Sequence, residues 1–120
     1  MKDPAHILVV DDTPHNVKLL ADVLVARGYT VSTAGSGKEA LDKVATDGPD
    51  LVLLDVVMPE LGGPETWERM RGMREGLRVL FMSGYADEQY RRRLPPDAEL
   101  IEKPFRPEDL LTLIRKTLDG

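Results

Sequence analysis

The sequence predicts an α/β fold, a doubly wound parallel sheet of five strands with five helices, and three observations lead there. Short runs of apolar and β-branched residues alternate along the whole chain with longer segments whose apolar residues recur at helical spacing. Parallel strands need crossover connections, so strict alternation implies one sheet covered on both faces. The length of 120 residues is enough for a hydrophobic core but fits one ordinary domain, so 1–120 is expected to fold as a single unit.

The first strand is "HILVV" (6–10), apolar enough to be buried on both faces. Thr13-Pro14 supplies a cap and a first-turn proline for a helix whose Val17, Leu20 and Leu24 share one side, and Gly28 stops it. "TVSTA" (30–34) is the second strand. Ala40, Leu41 and Val44 mark the second helix, ended by Gly48-Pro49. "LVLL" (51–54) is the third strand, broken soon afterwards at Met58-Pro59. A third helix, fainter in its pattern, follows Pro64 through Trp67 and Met70. "RVLFM" (78–82) is the fourth strand, and "ADEQYRRR" is a short fourth helix ended by Pro95-Pro96. "ELIE" (99–102) is the fifth strand, and a last helix follows Pro107 with Leu110, Leu111, Ile114 and Leu118. The chain has no linker, repeat or low-complexity tract, and with the last helix running to Gly120 no output domain is expected within it.

Composition removes several functions. The absence of cysteine excludes disulfides, thiolate metal sites and cysteine nucleophiles, and suits a reducing compartment. No stretch approaches a membrane span, and "MKDPAH" lacks the apolar region of a signal peptide, so a cytoplasmic protein is expected. A net charge of −5 opposes general affinity for nucleic acid. The basic run Arg91-Arg92-Arg93 reads as a solvated helix end.

The polar residues at the strand exits carry the functional signal. Strand one runs into Asp11-Asp12, strand three into Asp55, strand four into Ser83-Gly84 and strand five into Lys103-Pro104. In a parallel sheet these exits share one rim, where open α/β sheets bind their ligands. Three crowded carboxylates raise one another's pKa, and a divalent cation relieves that repulsion. Oxygen ligands without His or Cys favour Mg²⁺ over Zn²⁺. Metal, lysine and hydroxyl together would neutralise a transferring phosphoryl group, which makes Asp55 readable as a nucleophile that forms an aspartyl phosphate.

With "ILVVDD", "DVVMPELGG", "FMSGYA" and "EKPF" in order and spacing, the chain resembles, nearly end to end, the receiver domains of the two-component response-regulator family. "MSGYADE" with "ELIEKPF" is similar to receivers attached to hybrid histidine kinases. The resemblance implies the flavodoxin-like strand order 2-1-3-4-5. It also implies Asp55 as phosphoacceptor, Asp12 as a direct Mg²⁺ ligand, Asp11 as a ligand mainly through water, and the Val57 carbonyl as a further ligand. Ser83 and Lys103 would contact the phosphoryl group, the Lys103-Pro104 bond would be cis, and Gly63 would let the loop after Asp55 bend back. The implied partners are a histidine kinase or histidine phosphotransfer protein and a downstream target or attached domain, with no direct nucleic-acid or membrane binding. Such a domain catalyses its own phosphorylation and dephosphorylation without being a turnover enzyme.

The chain departs from the family pattern at three places. Leu100 stands where an aromatic switch residue is usual, which moves the expected switch to Tyr85 on the loop after Ser83; Thr13 follows the acid pair where another acid is frequent; and the fourth helix is short. The alternative function is a phosphorylation-independent pseudo-receiver, a protein-interaction module, although all its acids and the lysine are retained. A haloacid-dehalogenase-type phosphatase would need a second Asp where Val57 stands, and nucleotide binding lacks a P-loop or a Gly-rich fingerprint after the first strand.

Overall fold

The computed structural model describes residues 4–84, 92–96 and 98–119. Five strands, β1 (His6–Val10), β2 (Thr30–Ala34), β3 (Leu51–Asp55), β4 (Arg78–Ser83) and β5 (Glu99–Glu102), form one parallel sheet in the order β2-β1-β3-β4-β5. The described residues contain four helices rather than the expected five: α1 (Pro14–Ala26), α2 (Gly37–Asp47), α3 (Gly63–Met70) and α4 (Pro107–Asp119). Most of the expected helix "ADEQYRRR", and Tyr85 before it, lie outside the described residues; its last two, Arg92 and Arg93, are in a turn.

The sheet is buried on both faces, as its continuous apolar strands require. Successive side chains point to opposite sides, so Ile7, Val9, Leu51 and Leu53 join one core with Leu24, Leu110 and Ile114. Leu8, Val10, Val52 and Leu54 join the other, with Ala40, Val44, Met70 and Phe81. Each fully buried aliphatic contributes roughly 1.5–3 kcal/mol, so the two cores fix the register and, through it, which residues reach the rim. Leu100 lies opposite Phe81 in the register and packs in the second core.

Local signals set the helix ends. Thr13 is the N-cap of α1 in extended conformation, but its side chain makes no capping bond; Pro14 opens the helix. Ser36 caps α2 by accepting the Glu39 N–H at 3.1 Å, while the Glu39 carboxylate accepts the Gly35 N–H at 2.8 Å. Gly28 and Gly48, at φ 91° and 59°, end the first two helices in the left-handed region that favours glycine. No helix among the described residues is long and apolar enough to cross a membrane.

Candidate functional site

Parallel pairing brings four strand exits side by side. Asp11 follows β1, Asp55 is the last residue of β3 and stands opposite Met82, Ser83 ends β4, and Lys103 follows β5, where its N–H donates to the Ser83 carbonyl at 2.8 Å. Asp11 and Asp55 are 1% and 5% exposed, and Ser83 is fully buried. Asp12, the next residue along, faces solvent. One carboxylate oxygen from each of Asp11, Asp12 and Asp55 lies within 4.8 Å of the others. All the acids expected at the site therefore converge.

Lys103 reaches between the two buried acids, with Nζ 3.2 Å from Asp11 Oδ2 and 3.6 Å from Asp55 Oδ1. The nearer partner is Asp11. Asp11 Oδ1 in turn accepts the Thr13 N–H at 3.0 Å, so both Asp11 oxygens are held. That bond gives Thr13 a use that its side chain does not reveal: its backbone fixes the first acid. Ser83 Oγ donates to the Gly84 carbonyl at 3.3 Å. The Lys103-Pro104 bond is cis.

Burial pushes the Asp55 carboxyl up to about 7, with Asp11 and then Asp12 adding to the rise; Lys103 and the Val57 backbone N–H oppose it. For Lys103, burial works against the charge, but Asp55 and Asp11 outweigh it and the ammonium titrates above its ordinary value. The site is thus a lysine clamped between carboxylates that repel one another. Three oxygen donors with an excess of negative charge match a hard divalent cation, so the residues present fit Mg²⁺. Asp11, Asp12 and Asp55 would hold it, and it would supply charge neutralisation for the carboxylates and an arriving phosphoryl group. Val57, two residues past Asp55, is half-buried.

Gly63 has a different role from the bend first expected of it. It is the first residue of α3, its φ is not positive, and the residue that turns the loop is Glu60 at φ 66°. A Cβ on Gly63 would fall 2.4 Å from the Asp55 carbonyl oxygen and 2.8 Å from Val56 Cα, both backbone atoms with little freedom to yield. Glycine here gives room for α3 to press against the strand end that carries Asp55. Gly63→Ala is expected to lower stability by about 1–3 kcal/mol. Gly62→Ala should cost less, because its Cβ would meet at 2.7 Å only the movable end of Glu65. Urea denaturation of both variants checks this, and equal losses would discount the close approach.

Comparison with known proteins identifies relatives of this chain and its fold. The family model described as "Response regulator receiver domain" matches residues 7–115. The chain is 37% identical over 119 residues to the sensor kinase CckA of Brucella abortus, covering 96% of this chain and 13% of that protein. It is 39% identical over 118 residues to the response regulator MprA of Mycolicibacterium vanbaalenii, covering 96% of this chain and 51% of that one. The chain thus spans about half of one curated relative and far less of the other. Among solved structures, a CheY-like receiver domain protein from Methanospirillum hungatei superposes with a TM-score of 0.85 at 31% identity, covering 96% of this chain and 94% of that chain.

Proposed function

Because the chain belongs to the response regulator receiver family, we propose that Asp55 accepts a phosphoryl group from the phosphohistidine of a histidine kinase or histidine phosphotransfer protein, in a Mg²⁺-dependent reaction. The change would then be read by a downstream protein or an attached domain. The observation that carries this reading is the buried Asp55 carboxylate, with Lys103 Nζ at 3.6 Å and two further acids converging on it. An Asp55 oxygen forms the new bond to phosphorus as the bond from phosphorus to the donor imidazole nitrogen breaks, and the imidazole leaves with the electron pair of that bond. Lys103 would turn from the carboxylates toward the phosphoryl oxygens, and Ser83 would donate its hydroxyl to one of them. Mg²⁺ would be held by Asp11, Asp12, Asp55 and the Val57 carbonyl. The residues 1–120 act in this reading as one cytoplasmic receiver domain that catalyses its own phosphorylation and hydrolysis rather than turning over a substrate.

The approach for the donor lies on the α1 side. A largely apolar groove of 430 Å³ starts at Asp11 and Lys103 and runs between α1 and α4, with Leu19, Val23, Phe105 and Leu110 along it. Leu19 is 52% exposed. An amphipathic helix carrying the phosphohistidine fits this groove, because its apolar face would cover Leu19 while the imidazole is brought to the rim.

Intact-mass measurement after incubation with acetyl phosphate tests the proposal. A gain of one phosphoryl group is expected with Mg²⁺ and none with a chelator. No gain under either condition would favour the pseudo-receiver. A metal that binds only the folded state also raises stability, by about 2.7 kcal/mol at a hundred times its Kd. Saturating Mg²⁺ is therefore expected to raise the Tm, and Asp12→Ala to blunt that rise. A Tm indifferent to Mg²⁺ in the wild type would remove the metal from the proposal.

A further inference from the structure

A second cavity lies at the other end of the sheet from Asp55. It has a volume of 530 Å³, within the range of small-molecule sites. Arg78 and Glu99, which begin β4 and β5, line it together with Trp67 and Arg71 of the α3 end and Lys116 and Thr117 of the last turn of α4. Among the described residues three cations thus face one acid, on a chain whose net charge is −5. Arg78 is fixed, because its guanidinium donates to the carbonyls of Thr117, at 2.8 Å, and Leu118. Arg71 and Lys116 are not: among the described residues each has an acid only at 3.9 Å, Glu68 and Glu99 respectively, and all four side chains are substantially exposed. Such pairs contribute little and are easily exchanged for a better anion. Trp67 is half-buried and packs against the second core, presenting an aromatic surface next to the cations.

We propose that this cavity binds a small aromatic anion, its ring against Trp67 and its carboxylate or phosphate on Arg71 and Lys116. A ring satisfies the indole by stacking, and the anion satisfies the two loosely paired cations. A bare anion would leave the indole uncovered. An acidic side chain of a protein partner would do the same. The site uses none of the residues assigned to phosphoryl transfer, so it stands or falls independently of that assignment.

Amide and indole NMR shifts of the full chain test it, with four probes: benzoate and AMP, which carry rings, and acetate and inorganic phosphate, which do not. At least one ring-bearing probe is expected to saturate with a Kd below about 1 mM, shifting the Trp67 indole and the Glu99 and Thr117 amides. The ringless probe of the same charge type should bind at least about tenfold more weakly. Saturation by benzoate alone assigns an aromatic carboxylate, and by AMP alone a nucleoside phosphate. Arg71→Glu and Lys116→Glu, both at exposed positions, should each weaken the effective probe about tenfold. The proposal is overturned if neither ring-bearing probe saturates with shifts at these residues, if the ringless probes bind equally well, or if the charge reversals leave affinity unchanged.

Discussion

Asp55→Asn is expected to gain no phosphoryl group from acetyl phosphate in Mg²⁺ under conditions that label the wild type fully. The substitution keeps the side-chain shape and removes the nucleophile, so loss of labelling with a retained fold reports chemistry rather than collapse. The neighbouring acids are poorly placed to substitute. Asp11 has both oxygens engaged, Oδ1 by the Thr13 N–H at 3.0 Å and Oδ2 by Lys103 at 3.2 Å. Asp12 is exposed, where a phosphoryl group would lack the enclosure of the strand ends. Lys103→Ala should label slowly rather than not at all, because it removes charge stabilisation but leaves the nucleophile. Equal labelling of Asp55→Asn and wild type would move the acceptor to another residue. Peptide mapping of a labelled Asp55→Asn chain would then identify it.

Much of this site was legible in the sequence because a parallel sheet turns a one-dimensional pattern into a rim. Once "HILVV", "LVLL", "RVLFM" and "ELIE" are taken as parallel strands, the residues that leave them must be neighbours. Asp11, Asp55, Ser83 and Lys103 accordingly meet in the structure. Strand order came from resemblance, since periodicity says nothing about which strands pair. What stayed hidden depends on distances of a few tenths of an ångström or on backbone atoms. That Lys103 sits closer to Asp11 than to Asp55 is a matter of 3.2 against 3.6 Å. The hold of Thr13 on Asp11 is a backbone bond, which no side-chain pattern announces. The family resemblance implies a bend at Gly63, whereas its actual constraint is the nearby Asp55 carbonyl, visible only once α3 is packed. Ser36-x-x-Glu39 has the sequence form of a capping box, but only the Ser36 half of it forms: Glu39 accepts the N–H of Gly35, one residue before the cap.

The second large effect is on stability, and its direction follows from Asp55. In the folded, metal-free chain burial and the neighbouring acids raise this carboxyl from 3.8 to about 7. A raised acid means that the folded state resists ionisation that the unfolded chain accepts freely. Below pH 3.8 both states hold the proton and Asp55 imposes no penalty. Between 3.8 and about 7 the unfolded state ionises first, and stability is lost as the pH rises. Above about 7 both states are ionised and the loss is complete, on the order of 4 kcal/mol. Lys103 does not reverse this: its raised pKa keeps it charged across the whole window, and its contribution is lost only at a pH above its ordinary 10.5. Asp55→Asn carries no such penalty. In chelator, it should therefore unfold at higher urea than wild type at pH 7.5, with the difference shrinking steadily toward pH 4. Comparing the two chains cancels most of the titration of other groups. Mg²⁺ should narrow the gap at pH 7.5, since wild type regains stability by holding the ion on three carboxylates and the variant has only two. A gap that is independent of pH would mean that Asp55 is not held in the repelled, buried state from which its reactivity has been argued.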